Sequence, residues 1–228
     1  MSSPSEKRLA ENLPGIPSPD HPATSQEFTL DERRILLGLA RSAVASGLAG
    51  EPLPDSPPRP SSSPASSSAP LSPSFLQTLA EPRGVFTTIY LNGHLRGCVG
   101  YALPIHPLYR AIAETARAAA FEDTRFWPVT LEEAGKLQFS LSVLSPLFPI
   151  APGEVEVGRH GLLISDGKRR GLLLPQVPVE HDWDRETFLD QTCHKAGLPL
   201  DAWRKSTTIE AFTAEVFDEQ SANDDQPA

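Results

Sequence analysis

Cysteine is nearly absent from this chain: two residues in 228. That excludes a disulfide framework and leaves the core to apolar packing. Long apolar runs are also missing. None approaches the roughly 20 residues that a membrane-spanning helix needs, and the N-terminus has no apolar signal-peptide core. With both cysteines expected to be free thiols, these absences predict a cytoplasmic protein with no membrane association. Basic residues are in deficit, 20 Lys and Arg against 29 Asp and Glu, for a net charge of −9. Such a balance argues against nucleic acid as a partner, because phosphate-backbone binding draws on a basic patch. The tight cluster Lys168-Arg169-Arg170 follows the turn signal Asp166-Gly167 and reads as a solvated turn. His94, Cys98, Cys193 and His194 match no zinc spacing, so neither a metal nor a cofactor is expected. No internal repeat is visible.

Proline, by contrast, is abundant, with 24 residues. They crowd the N-terminal third and break it into segments. Residues 1–27 are polar and proline-rich, and they predict a disordered leader. Residues 50–73 are mostly Pro, Ser and Ala, and they predict a mobile insertion, a spacer rather than a docking peptide. Residues 220–228 predict a disordered tail. The remaining segment, 28–219, carries the periodic patterns of a folded domain.

Thr29 with Glu32 reads as a capping box that opens an amphipathic helix through Leu36, Leu39, Ala40, Ala43 and Val44. A short helix around Phe75–Leu79 leads into a strand, Gly84 to Leu91. Asn92-Gly93 is the strongest two-residue hairpin signal, because both residues tolerate the positive φ of a type I′ turn. The return arm contains Leu95-Arg96-Gly97-Cys98-Val99-Gly100. Simple pairing across the turn sets Leu91 against His94, Ile89 against Arg96 and Thr87 against Cys98, with His94, Arg96 and Cys98 on one face. Gly97 and Gly100 then read as space left for a close approach. Leu108, Ile112, Thr115, Ala116 and Ala119 form the buried stripe of the next helix. Leu137, Phe139, Leu141 and Val143 alternate with polar residues as a half-buried strand. A second hairpin surrounds Asp166-Gly167. A helix from 184 to 196 buries Phe188, Leu189, Thr192 and Cys193 and ends at Gly197. Residues 207–217 read as a last strand. Helices interspersed with hairpins predict an α+β fold, a largely antiparallel sheet flanked by helices.

Cys98 is the candidate catalytic residue. A neighbouring cation such as Arg96 lowers a thiol's pKa, and the thiolate is the nucleophile. The competing account packs Cys98 as a small hydrophobe. A third account makes the loop a ligand or partner site without covalent chemistry, with Arg96, Gly97 and Gly100 binding. In the acidic loop Asp123 is placed to pair with Arg125, and Phe126 and Trp127 are given a structural role.

The LRGCVG hexapeptide resembles the LRGCIG signature of the AMMECR domain family. The similarity continues through GVFTTIYLNGHLRGCVG, AAAFEDTRFWPVTLEE, FSLSVLSP, GLLISDGKRRGLLLPQVP and CHKAGL, in family order, over about residues 28–219. It implies a single domain of two unequal lobes, with the LRGCVG loop near the cleft, and it marks Asp123, Arg125 and Phe126 as site or scaffold residues. The family's biochemical activity is unsettled. The resemblance also implies company with Memo-like and radical SAM proteins, and so an accessory or enzymatic component. A free-standing thiol-dependent enzyme and a nucleic-acid-binding or regulatory module are the alternatives.

Overall fold

A computed structural model describes residues 27–53, 56, 71–205 and 207–221. The expected leader (1–27), except its last residue, most of the proline-rich insertion (50–73) and all but the first residues of the tail (220–228) lie outside the described residues. The elements are α1 (Leu30–Leu48), α2 (Pro73–Ala80), β1 (Val85–Leu91), β2 (His94–Tyr101), α3 (Leu108–Phe121), α4 (Leu131–Ala134) and β3 (Leu137–Leu144), then β4 (Phe148–Pro149), β5 (Gly161–Asp166), β6 (Arg169–Leu173), α5 (Gln176–Glu180), α6 (Arg185–Lys195), β7 (Thr208–Phe212) and β8 (Ala214–Asp218). The fold is α+β with antiparallel pairing. Two four-stranded sheets replace the one expected, ordered β2-β1-β3-β8 and β4-β7-β5-β6. The chain divides into two compact units, Leu144–Glu215 and Glu27–Val143, the latter completed by residues 216–221.

In the unit built on Glu27–Val143, α1 and α3 pack on each other and α3 covers β1 and β2. The capping box at the start of α1 is formed in both directions: Thr29 N donates to Glu32 at 2.9 Å and Glu32 N donates to Thr29 Oγ1 at 3.3 Å. These bonds satisfy amides that the first helical turn leaves without carbonyl partners. Leu36, Ala40, Ala43 and Val44 are buried as the periodicity requires, with Leu39 partly so. The alanine-rich stripe of α3, from Leu108 to Ala119, is fully buried. Short side chains bring this helix backbone close to the sheet. Arg41 ties α1 to the far end of the sheet, donating to Glu219 at 2.8 Å and to the Leu137 carbonyl. β3 departs from the expected half-buried strand: Ser140 and Ser142 are buried along with its apolar residues, because both faces of this central strand are covered.

In the other unit α6 packs on β5 and β6 over a core of Leu162, Ile164, Phe188, Leu189, Cys193 and Ala211. Asp184 caps α6 by accepting from Thr187 N at 2.8 Å, and Gly197 follows the helix with φ of 70°. The segment expected as one final strand is two. It breaks at Thr213, so that β7 completes one sheet and β8 the other. Periodicity alone does not register such a break, because both halves alternate in the same way. No described helix is long and apolar enough to cross a membrane.

Candidate functional site

The Asn92-Gly93 turn has the positive φ values of a type I′ hairpin, 52° and 78°. Leu91 faces His94 and Tyr90 faces Leu95, and the next pair is Ile89 with Gly97. Arg96 is therefore the extra residue of a β-bulge, and the simple pairing of Ile89 with Arg96 and Thr87 with Cys98 is corrected by one residue. That slip decides which face Cys98 occupies. Thr87 turns toward α3, its hydroxyl 2.7 Å from that of Thr115. Cys98 sits opposite Thr88 on the other face, and the Thr88 hydroxyl donates to its sulfur at 3.5 Å.

Both glycines are filled by the protein itself. A Cβ on Gly97 would lie 2.0 Å from the Ala119 carbonyl oxygen of α3, and one on Gly100 would lie 2.0 Å from the Phe86 ring. The expected open space beside them is thus occupied by a helix backbone on one face and a cross-strand aromatic on the other.

Released sideways by the bulge, Arg96 fastens the loop that follows α3. Its Nε and Nη2 form a two-pronged ion pair with Glu133 at 2.9 and 3.1 Å. Nη1 donates to the Trp127 carbonyl at 2.7 Å, and Nη2 also reaches the Pro128 carbonyl at 3.3 Å. Glu133 completes a capping box with Thr130, accepting from its amide at 2.8 Å. The Arg96 hydrogen bonds, joined by those of Thr130, hold the Glu133 carboxyl down at about 2. The guanidinium is thus committed to loop structure.

Asp123 and Arg125 occupy the outer edge of β2. The Cys98 amide donates to Asp123 Oδ2 at 2.9 Å, and Arg125 Nη2 donates to the Cys98 carbonyl at 3.3 Å. Arg125 pairs with Asp123 through Nη2 at 2.7 Å and Nε at 3.0 Å. Two side chains thereby supply the donor and acceptor that a neighbouring strand would have offered, closing an otherwise open edge. Burial pushes the Asp123 carboxyl up, but the bonds from Arg125 and the Cys98 amide outweigh it and hold the acid below its usual range.

Cys98 is half-buried, and burial raises its thiol pKa despite the Thr88 hydroxyl and Arg125, which act the other way. Its surroundings favour the neutral thiol over the thiolate. Cys193 is fully buried in its core, and burial raises its pKa too. His94 is exposed beside the turn.

Trp127 is the residue that the sequence reading misplaced. Expected to be structural, its side chain is 88% exposed. Arg96, Arg125, Phe126, Trp127, Pro128, Thr130, Glu132 and Glu133 line a shallow open cleft there. Phe126 is half-buried beneath the Arg125 guanidinium, 5.5 Å from its ring centre. Glu133 was also missed, although Thr130-x-x-Glu133 is a capping-box spacing.

The chain as a whole is similar to other proteins. A model of the AMMECR1 family matches residues 37–217. A protein from Thermococcus gammatolerans is 43% identical over 203 residues, covering 81% of this chain and 89% of its own length. One from Aquifex aeolicus is 44% identical over 146 residues, covering 60% and 75%. The crystal structure of an uncharacterized protein from Pyrococcus horikoshii superposes with a TM-score of 0.58 at 39% identity, covering 83% of this chain and 92% of that one. With most of its folded length matched by the family and by these relatives, the chain belongs to the AMMECR1 family.

Proposed function

We propose that this AMMECR1-family chain is a cytoplasmic accessory component that acts by binding a protein partner. Its contact surface is the loop from 122 to 133, fastened to the LRGCVG strand. Arg96, Asp123 and Arg125 build the site by positioning that loop, and Gly97 and Gly100 let the helix and sheet close up behind it. One observation carries the reading: Trp127 is almost wholly exposed, yet its own carbonyl is held by Arg96. An exposed tryptophan on a fixed backbone contributes nothing to the core, while tryptophan is among the residues that dominate protein interfaces. The partners suggested by the family resemblance are Memo-like and radical SAM proteins. The raised thiol pKa of Cys98 weighs against the alternative of a thiol-dependent enzyme, and the −9 charge against a nucleic-acid module.

Genetic complementation, together with gel filtration against purified Memo-like and radical SAM proteins, tests this. Trp127→Ala is expected to lose complementation and complex formation at unchanged thermal stability, with Cys98→Ser retaining both. The reverse pattern overturns the binding reading in favour of thiol chemistry.

A further inference from the structure

We infer that the Trp127 face receives a cationic segment of the partner, with a lysine or arginine side chain laid on the indole and paired with Glu132. This rests on the partner-binding reading above and specifies its chemistry. The charges lining the cleft decide the sign. Arg96 is committed to Glu133 and Arg125 to Asp123. Glu132, exposed at the cleft wall, has a charge that no cation of the cleft neutralises. The exposed charges that flank the loop in sequence, Glu122 and Lys136, are of opposite sign. A cleft with one uncompensated carboxylate on a chain of net charge −9 attracts cations and repels acids.

The aromatic surface points the same way. Arginines lie over the rings of Phe126, Phe139, Trp203 and Phe217 at 3.9 to 5.8 Å. Among the described residues no such cation covers Trp127. Indole is the aromatic ring that holds a cation best, and this indole is turned outward uncovered. The segment that fits here places a basic side chain across the indole and within reach of Glu132, with apolar contact to Pro128.

The probe is fluorescein-labelled hexa-arginine amide, followed by anisotropy at about 0.15 M salt, where long-range attraction is largely screened. Trp127→Leu keeps apolar area but removes the ring's electrostatic face. It is expected to weaken binding about tenfold, with Trp127→Phe intermediate. Glu132→Gln is expected to weaken it two- to fivefold. Glu180→Gln, an exposed acid of α5, leaves binding unchanged. Thermal midpoints within a degree or two of wild type confirm that each variant is folded. Equal binding by wild type and Trp127→Leu overturns the inference, as does tighter binding of hexaglutamate or hexaproline. So does a concentration-dependent dimer in sedimentation that Trp127→Leu abolishes, since the occupant is then a second copy. If Trp127→Ala still breaks the complexes in gel filtration while hexa-arginine binds every variant alike, the partner-binding reading stands and the cationic occupant falls.

Discussion

The two hairpins of this protein are built alike up to their outer edges. In β1–β2, Gly97 admits the backbone of α3, and Gly100 lies under the ring of its cross-strand partner Phe86. In the other unit Gly171 of β6 admits the backbone of α6, with a Cβ there only 2.3 Å from the Ala196 amide nitrogen, and Gly161 of β5 lies under Phe212, its partner on β7. Both sheets thus use glycine on an edge strand for helix packing and an aromatic to cover a second glycine. What separates them is what lies beside the edge. At β2 a bulge frees Arg96, and the loop after α3 comes back to cover the Cys98 backbone with Asp123 and Arg125. At β6 Arg169 pairs within its own turn with Asp166 and donates to the Gly197 carbonyl at 3.5 Å. The glycines therefore belong to the scaffold, and the bulge with its bound loop is what is peculiar to the candidate site.

The comparison is broken most severely at the glycines. Gly97→Ala and Gly171→Ala each drive a methyl into a helix backbone that has no flexible end to give way. Each is expected to destabilise by about 3 kcal/mol, at the upper end of overpacking costs, and Gly97→Val to prevent folding. Urea unfolding measures both. If Gly97→Ala keeps wild-type stability while losing function, the space at Gly97 serves a ligand after all, and the kinship of the two hairpins fails.

Arg96→Ala comes next. It strands the partly buried Glu133 and removes the donors to two carbonyls, for an expected loss of about 2 kcal/mol. The same pair predicts an acid dependence. Glu133 is lowered from 4.5 to about 2 in the folded chain, so the unfolded chain binds the extra proton between those values. Its stabilisation is complete above pH 4.5 and is lost as pH falls toward 2. Thermal midpoints across this range should fall less steeply in Arg96→Ala than in wild type. Parallel curves mean that the clamp is not an ion pair in solution.

The hairpins also show what the sequence disclosed. Asn92-Gly93, Thr29-x-x-Glu32 and the alanine stripe of α3 are local signals, and each formed as its pattern required. The bulge at Arg96 was not legible. It arises because α3 must approach at Gly97 while the turn pins Leu91 to His94, a conflict between a tertiary and a local constraint. The family resemblance marks Asp123 and Arg125 as site or scaffold residues, but only the geometry shows them acting as a substitute strand. Trp127 was misread because an aromatic beside Phe126 and Pro128 has the composition of a packed loop, and nothing local says which way the ring turns.

Cys98→Ser is expected to have a smaller effect, about 1 kcal/mol. The thiol is half-buried, and serine finds the Thr88 hydroxyl already present as a partner. Alkylation of the native chain by iodoacetamide at pH 7 should be slower at Cys98 than at an exposed free thiol, because burial keeps it protonated. Reaction faster than a free thiol would reverse the contrast between the two hairpins, making the β2 edge a nucleophile's seat rather than an anchorage.

The smallest effect on the fold belongs to Trp127, and its smallness is the point. An 88% exposed side chain has little buried area to lose, so Trp127→Ala should move the unfolding free energy by no more than about 0.5 kcal/mol. Trp203 makes the informative partner in the comparison. It is an equally large indole, but it is buried in the core beneath α6 and donates to Asp190 at 2.6 Å. Trp203→Ala should cost about 3 to 5 kcal/mol. Both variants remove the same atoms, so the difference between them measures burial together with the contacts Trp203 makes to Asp190 and Arg204. If Trp127→Ala destabilises as Trp203→Ala does, the loop from 122 to 133 is held by its aromatic and not by Arg96. The tryptophan would then no longer be a surface kept ready for another molecule.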